Sequence, residues 1–270
     1  MKNKDAQSVR EFYDKKAEDY DKSYETPYWR LYHEITWHNI RRFLPRKRNA
    51  IVLDAGGGTG YWAIRLGRLG HDVVLTDISW NMLKVAKEKI RQEELQSKIE
   101  SVIANIRDMS CFPSNYFHLV LAEGDPVSYC LDAEKAIREL ARVAGPNAHV
   151  IVSVDSKYRM IPTLIEEGSP AELRKFLSNG ILKREFTFQA FTPEELGGLF
   201  ETAELKVVRI IGKPILIQFV SREKRDEIIQ ENFKELLELE LRFCDTPSLV
   251  GIGGHLEIVG LKQKRDADPS

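Results

Sequence analysis

Short apolar runs alternate along the chain with longer stretches in which apolar residues recur every three or four positions. The first arrangement predicts buried strands, and the second predicts helices with one buried face. This alternation, closed by two strands with a helix between them, predicts an α/β fold with a doubly wound sheet. The predicted strands are residues 51–54, 73–76, 101–104, 118–122, 149–154, 207–211 and 255–261.

Helical patterns also precede and interrupt this series. Residues 8–44 predict two helices, because Ser8 and Glu11 form a capping-box pair and Pro27 takes the favoured first position of the second helix. Residues 156–192 are longer than a plain crossover needs, and an insertion that leaves the carboxyl edge of the sheet is placed to roof a substrate pocket. A long amphipathic helix is predicted over about residues 223–243.

The first predicted strand ends in a carboxylate and then in a glycine-rich loop. Asp54 is followed by Gly56, Gly57, Gly58 and Gly60. Glycine has no Cβ, so the chain turns sharply and a ligand touches the main chain directly. The second strand ends in Asp77, where in a βαβ unit a carboxylate accepts both hydroxyls of a ribose. The spacing predicts a nucleoside site.

Two kinds of nucleoside fit this loop. Residues 58–63 satisfy the G-x-G-x-x-[GA] fingerprint of dinucleotide sites. Asp54, however, stands just before the first glycine, where it would repel a pyrophosphate and attract an ammonium or a sulfonium. The acid therefore favours a cationic ligand.

Composition and net charge limit the partners and the cellular compartment that we expect for this protein. The chain has 270 residues, 43% of them hydrophobic, enough for a full α/β core. Forty basic and 41 acidic residues give a net charge of −1, so we expect neither nucleic acid nor a membrane as partner. Only the basic cluster at residues 41–48 argues for RNA. The three cysteines are far apart, and no apolar run reaches the roughly 18 residues of a membrane span. The sequence predicts a soluble, cytoplasmic protein, a monomer or a homodimer.

The acid followed by glycines, residues 54–60, resembles the first motif of the class I S-adenosylmethionine-dependent methyltransferases of small-molecule type. Residues 12–21 are similar to an N-terminal segment that folds over the cofactor as a lid in this family. The resemblance covers nearly the whole chain. It implies a Rossmann-like seven-stranded sheet of order 3-2-1-4-5-7-6, with an antiparallel last strand, and S-adenosylmethionine as cofactor.

The resemblance also implies the residues of a cofactor site. The backbone of Gly56, Gly58 and Gly60 would approach the methionine portion, and Asp77 would hold the ribose. The adenine would lie among Ile78, Asn105 and Ile106. Asp54 and the backbone carbonyl of Glu123 would meet the ammonium, and Tyr20 would face the sulfonium. Family members usually have an acid where Asn105 stands. Its side-chain oxygen still accepts a hydrogen bond, so we expect adenine binding with one weaker contact.

No conventional catalytic triad is expected, because in-line methyl transfer releases a neutral sulfur that needs no acid. A base is needed only if the acceptor must lose a proton, and the candidates are Tyr129, Asp125 and His255. Asp125 and Pro126 weakly resemble the (D/N)-P-P-(Y/F) motif of amino-group methyltransferases, without the second proline. No metal site is predicted: His33 and His38 are five positions apart, on different faces of a helix.

These predictions describe a single methyltransferase domain over residues 1–270. It comprises a helical lid at 1–48, a cofactor-binding core at 49–155, a substrate roof at 156–192, the rest of the core at 193–263 and a polar tail at 264–270. The leading hypothesis is methyl transfer to an oxygen, nitrogen, sulfur or carbon atom of a small metabolite. The alternatives are a methyltransferase acting on RNA or protein, an NAD(P)-dependent oxidoreductase, and a non-catalytic nucleoside-binding sensor.

Overall fold

The computed structural model describes residues 2–47 and 49–264, with side chains from residue 6 onward. The predicted polar tail lies outside the described residues, apart from its first position. Within the described ranges, no helix is both long enough and apolar enough to cross a membrane.

Within the described ranges, nine strands form one large sheet and one hairpin. The large sheet has seven strands in the order β3-β2-β1-β4-β5-β9-β8, and β9 runs antiparallel to both of its neighbours. The strands are β1 Ile51–Ala55, β2 Asp72–Asp77, β3 Ile99–Ile103, β4 Phe117–Ala122, β5 Ala144–Asp155, β6 Ile181–Lys183, β7 Thr187–Gln189, β8 Leu205–Lys213 and β9 His255–Lys262. Because β6 and β7 pair only with each other, the predicted order 3-2-1-4-5-7-6 is confirmed for the core strands.

Helices cover both faces of the sheet. They are α1 Lys2–Lys16, α2 Pro27–Arg42, α3 Tyr61–Gly67, α4 Trp80–Gln92, α5 Pro126–Tyr129, α6 Ala133–Val143, α7 Ile161–Glu166, α8 Pro170–Asn179, α9 Pro193–Thr202, α10 Arg222–Glu231 and α11 Phe233–Phe243. Apolar side chains of α2, α3 and α4 pack on one face of the sheet, and those of α6 and α9 pack on the other. The doubly wound α/β fold predicted from the sequence is confirmed.

Several element boundaries differ from the sequence predictions, three of them substantially. Helix α1 begins at Lys2 and not at Ser8, because Lys2, Lys4, Ala6 and Gln7 are good helix formers and extend the helix beyond the capping-box pair. The predicted long helix is two helices, broken at Asn232, whose φ of −123° is not helical. Strand β5 begins at Ala144, five residues before the predicted start, because the segment pairs with Phe117 of β4.

The carboxyl ends of the parallel strands bring several acidic residues to one edge of the sheet. Asp77, Asp155 and the residues after β4 lie at this edge, and so do the end of β8 and the start of antiparallel β9. Helix α1, the 3-10 turn at Tyr20–Glu25 and the start of α2 lie along the same edge. The insertion packs there too, with Tyr129 against its apolar cluster. Ligands of open α/β sheets bind at this position.

Candidate active site

The N–H groups of the glycine loop after β1 donate hydrogen bonds to acceptors within the protein. The N–H groups of Gly56 and Gly57 both donate to the carbonyl oxygen of Thr76, at 2.7 and 3.0 Å. The N–H of Gly58 donates to Asp77 Oδ2 at 3.0 Å. Gly56 has a φ of +71°, and a Cβ built on it would lie 2.6 Å from Pro126 Cβ. The loop is therefore a close-fitting turn whose first N–H groups are not offered to a pyrophosphate.

Asp77 ends β2 and faces the cavity beside this loop. Its Oδ1 accepts from the N–H of Ser79 at 2.8 Å, and its Oδ2 accepts from Gly58. Burial raises the pKa of the Asp77 carboxyl to about 6, against the lowering effect of these hydrogen bonds. Each carboxylate oxygen has a second lone pair, so Asp77 keeps acceptor capacity for two hydroxyl groups.

Asp54 lies beneath the glycine loop and not in the cavity. It is fully buried, and its Oδ2 accepts from the N–H of Ala63 in the first turn of α3, at 3.0 Å. Burial raises the pKa of the Asp54 carboxyl to about 7, and its Oδ1 has no hydrogen-bond partner among the described residues. Asp54 therefore supports the loop from below. The contact between Asp54 and an ammonium group, which the sequence led us to expect, stays a prediction, and the Asp54 side chain does not line the cavity.

Replacing Asp54 by Asn is expected to flatten the dependence of stability on pH. In wild type the folded carboxyl binds its proton up to about pH 7, whereas an unfolded aspartate releases it near about pH 4, so the free energy of unfolding falls as pH rises between them. Over this pH range, the free energy of unfolding of Asp54→Asn should fall by up to about 4 kcal/mol less than that of the wild type. Urea unfolding at several pH values between 4 and 8 measures it. Asp19→Asn, at an exposed ion pair with Lys22, is the control; identical slopes for Asp54→Asn and wild type would contradict the assignment.

A cavity of about 310 Å³ extends from the glycine loop to the N-terminal helices. The predicted cofactor residues that line it are Gly56, Gly58, Asp77, Ile78, Asn105, Ile106, Glu123 and Tyr20, and the catalytic candidates that line it are Asp125 and Tyr129. Asp54, Gly60 and His255 are outside the lining. Most of the predicted site residues are thus brought to one cavity.

The adenine end of the predicted site lies between β2 and the turn after β3. Ile78 and the buried Ile106 are its apolar residues. Asn105 Oδ1 accepts from the N–H of Arg107 at 3.0 Å, so the side chain stabilises its own turn. Its second lone pair remains for a ligand, which fits the weaker contact expected from the sequence.

Lys213, at the end of β8, is fully buried behind the cavity between Glu123 and Glu257. Its Nζ lies 2.6 Å from Glu123 Oε2, contacts Glu257 Oε2, and stands 4.7 Å from the ring centre of Tyr32. Burial alone would lower the pKa of Lys213, but the two glutamates outweigh it and raise it. Burial, with repulsion from Glu257, raises the pKa of Glu123 to about 8. The cluster therefore holds a proton on one acid and balances the lysine with the other.

Asp125 and His255 form a second buried cluster at the cavity wall. His255 Nδ1 lies 2.8 Å from Asp125 Oδ2, and Asp155 is close enough that one ligand atom from each of the three residues falls within 4.8 Å of the others. The N–H groups of Gly124 and Asp125 both donate to Ser153 Oγ, at 3.0 and 3.1 Å. His255 itself is outside the cavity lining, but it contacts the lining residues Asp125, Trp29 and Tyr32.

Comparison with known proteins agrees with this geometry. A family model described as a methyltransferase domain matches residues 52–147, the span from β1 into the start of β5. Residues 52–147 are a methyltransferase domain. The resemblance drawn from the sequence is confirmed.

The methyltransferase domain has relatives with different acceptors. A ubiquinone/menaquinone biosynthesis C-methyltransferase, UbiE, of Vibrio cholerae is 35% identical over 114 residues, which are 39% of this chain and 41% of that protein. The chain thus spans less than half the length of this relative. A tRNA 5-carboxymethoxyuridine methyltransferase of Escherichia coli is 24% identical over 90% of this chain and 93% of its own length. The expectation that nucleic acid is not a partner therefore has no support from the relatives.

The fold of the methyltransferase domain recurs in solved structures. An S-adenosylmethionine-dependent methyltransferase from Mesorhizobium loti has a TM-score of 0.59 at 17% identity, over 84% of this chain and 97% of that one. Geranyl diphosphate C-methyltransferase from Streptomyces coelicolor has a TM-score of 0.57 at 12% identity, over 85% and 79%. At these identities the likeness concerns the fold.

Sequence reasoning missed several residues of the methyltransferase site. Tyr24, Trp29, Tyr32 and His33 line the cavity, whereas the sequence predicted a helical lid here and named none of these four as site residues. His33 stacks on Tyr61 at 4.3 Å, and burial lowers its pKa to about 3, so it is neutral. The signal available was the density of aromatic residues between positions 12 and 37. Lys213 and Asp155 had no local signal, because their partners are distant in sequence.

Proposed function

We propose that this protein is an S-adenosylmethionine-dependent methyltransferase whose acceptor is a small molecule. The observation that carries the proposal is the single cavity, which joins the glycine loop and Asp77 to a buried aromatic end. A nucleoside site and a closed acceptor site therefore share one space. Methyl transfer needs this arrangement, because its rate depends mainly on the alignment of acceptor and methyl group.

The residues present fit the proposed cofactor. Asp77 retains acceptor capacity for ribose hydroxyls, and Ile78 and Ile106 offer apolar surface to adenine. Glu123 lines the cavity, and its backbone carbonyl is the proposed acceptor for the ammonium, because its side chain is engaged with Lys213. We therefore assign the ammonium to Glu123, with Asp54 supporting the loop from below. Tyr20 stays the proposed cation–π neighbour of the sulfonium.

The cofactor and the residues of the chain make different contributions to the proposed reaction. When bound, S-adenosylmethionine supplies an electrophilic methyl group and a sulfur that leaves neutral. The chain's residues orient the two reactants and exclude water. Of the three predicted proton acceptors, Asp125 and Tyr129 line the cavity and His255 does not. Burial, with the charges of Tyr13, Asp155 and Asp125, raises the pKa of Tyr129 well above its usual value, so Asp125 is the better acceptor.

The position of the basic cluster supports a small acceptor over RNA. Lys47 Nζ lies 3.4 Å from His118 Nε2, near the start of β4, and Arg42 and Arg46 line a groove with the first residues of β4 and β5. These residues are at the amino edge of the sheet, whereas the cavity opens at the carboxyl edge. A strand of six residues separates the two edges by roughly 20 Å. Phosphates bound at the cluster would not place a base in the cavity.

Transfer to tRNA is the second candidate function, and the full-length likeness to the Escherichia coli tRNA methyltransferase favours it. An NAD(P)-dependent oxidoreductase finds less support, because the N–H groups of Gly56, Gly57 and Gly58 already have acceptors within the protein. A nucleoside-binding sensor would share the whole cavity and differ only in lacking turnover.

The proposed function is tested with S-adenosylmethionine labelled in its methyl group. The protein is incubated with a metabolite filtrate and, separately, with total tRNA from the same cells. We expect label in the filtrate and none in tRNA. Label in tRNA alone would overturn the small-molecule proposal in favour of the second candidate. Binding of the cofactor without transfer to either fraction would favour the sensor.

A further inference from the structure

The end of the cavity away from the adenine site is a cage of tyrosine rings. We call Tyr13, Tyr20, Tyr32 and Tyr129 the tyrosine cage; they come from α1, the following 3-10 turn, α2 and α5. The ring centre of Tyr13 lies 5.8 Å from that of Tyr20 and 6.1 Å from that of Tyr129. Aromatic faces carry negative potential and attract cations, most strongly where water is excluded.

Asp125 places a carboxylate among these rings. The residue is 2% exposed, and its backbone is held in the left-handed region, at φ +66°, by the two N–H bonds to Ser153 Oγ. A non-glycine residue held in this conformation at a cavity wall points to a functional constraint. Oδ1 has no hydrogen-bond partner among the described residues, which leaves it available to a ligand.

The charge of Asp125 reaches every ring of the cage. Burial is the largest cause of the raised pKa of each cage tyrosine. The Asp125 carboxylate raises the pKa of all four further: Tyr13, Tyr20, Tyr32 and Tyr129. Burial alone would raise the pKa of Asp125 itself, but His255 and Lys213 lower it. The carboxyl is therefore ionised, and the cage encloses a negative charge.

The basic groups around the cage do not cancel this charge for a ligand. Lys213 is balanced within its cluster with Glu123 and Glu257, His33 is neutral, and His255 is already paired with Asp125 Oδ2. Among the described residues that line the cavity, Arg107 is the one lysine or arginine, and it lies beside Asn105 at the adenine end. A carboxylate or phosphate in the cage would face Asp125 in a low-dielectric site whose nearby cations are already paired, which is unfavourable.

We infer that the acceptor of the proposed methyl transfer is an amine, bound as its ammonium form in the tyrosine cage against the Asp125 carboxylate. The inference rests on the proposed function and names its substrate class. Asp125 touches the acceptor and is the proposed catalytic residue. His255, which lies 2.8 Å from Asp125 Oδ2, is a positioning residue that holds the carboxylate.

The reaction balances with the groups present. The ammonium gives one proton to the Asp125 carboxylate, and its nitrogen recovers a lone pair. This lone pair forms the bond to the methyl carbon, while the electron pair of the breaking carbon–sulfur bond stays on sulfur. The product nitrogen carries the positive charge again, and the proton leaves Asp125 for solvent. No oxidant, reductant or metal ion is needed.

The test uses three probes of the same shape and different charge. Choline, its uncharged carbon analogue neohexyl alcohol, and the tert-butylacetate anion are titrated calorimetrically into the complex with S-adenosylhomocysteine, after dialysis against EDTA. We expect choline to bind at least about tenfold more tightly than the alcohol, and the anion to bind most weakly. Asp125→Asn should remove the difference between choline and the alcohol. Asp72→Asn, at the amino edge, is the matched control and should keep it.

Several results would overturn the inference. Equal binding of choline and the alcohol, or tighter binding of the anion, would show that the cage does not select cations. If choline binds only when EDTA is omitted, its binding depends on a metal ion. Asp125, Asp155 and His255 would then hold that ion, and the Asp125 carboxylate would not be free for an ammonium.

Further measurements separate the inference from the proposed function. If Asp125→Asn weakens S-adenosylmethionine relative to S-adenosylhomocysteine and leaves choline unaffected, the carboxylate serves the sulfonium and the inference is wrong. Label found on tRNA, or on oxygen or carbon of an uncharged metabolite, would overturn it while leaving a methyltransferase. Failure of both sulfur nucleosides to bind would refute the proposed function itself, and the choline titration of the free protein would still report on the cage.

Discussion

Replacing Lys213 by Met is expected to lower the free energy of unfolding by about 3–5 kcal/mol, which is the usual cost of removing one partner from a buried ion pair. The substitution keeps the apolar stem and removes the charge, so Glu123 and Glu257 would face each other without a cation. Both acids are fully buried, and Asn39 is a further hydrogen-bond partner of Glu257. Urea unfolding at pH 7 measures the loss.

Two further variants give this prediction its control. Lys89→Met breaks the ion pair with Asp21, whose side chains are 28% and 37% exposed, and should cost less than about 1 kcal/mol. Adding Glu123→Gln and Glu257→Gln to Lys213→Met removes the uncompensated acids and should recover much of the stability. A Lys213→Met protein as stable as Lys89→Met would show that the cluster is not the buried charge pair described above.

Replacing Asp77 by Ala is expected to weaken S-adenosylmethionine binding by tenfold or more, about 1.4 kcal/mol. The carboxylate is the acidic group beside the glycine loop with capacity for two hydroxyl groups, and alanine offers neither acceptor. Calorimetric titration measures the change, with the far-ultraviolet circular dichroism spectrum as a check of the fold. The variant also leaves the N–H groups of Gly58 and Ser79 without their side-chain acceptors, so the free energy of unfolding should fall by about 1–3 kcal/mol.

Asp72→Ala is the matched control for this experiment. Asp72 begins the same strand, at the amino edge, and pairs with Lys98. The control should bind S-adenosylmethionine as wild type does. Unchanged affinity in a folded Asp77→Ala protein would place the ribose elsewhere, and equal losses in both variants would point to a general effect on β2.

The fold was predictable because its signals are local. Each core strand contains a short, mainly apolar run of four to seven residues, and the glycine loop after β1 fixes one βαβ unit by itself. Errors occurred where local signals compete. Ser8 is a good helix cap, but the residues before it also favour a helix, so α1 starts at Lys2. The break at Asn232 interrupts an amphipathic pattern that continues on both sides of it.

The site was predictable where a residue follows a strand directly. Asp77, Ile78 and Glu123 were found this way, because the end of a parallel strand fixes the position of its residue relative to the loop. Asp54 shows the limit: its position in the motif was clear, but only the three-dimensional structure places its side chain below the loop. Lys213 meets Glu123 across 90 positions, a pairing that no local pattern reveals.

The most direct test of the central claim is calorimetric titration of the protein with S-adenosylmethionine, S-adenosylhomocysteine, NADH and NADPH in parallel. The site described here predicts micromolar binding of the two sulfur nucleosides and none of the nicotinamide cofactors. Binding of NADH or NADPH instead would mean that the glycine loop accepts a pyrophosphate despite its internal hydrogen bonds, and would contradict the proposed function.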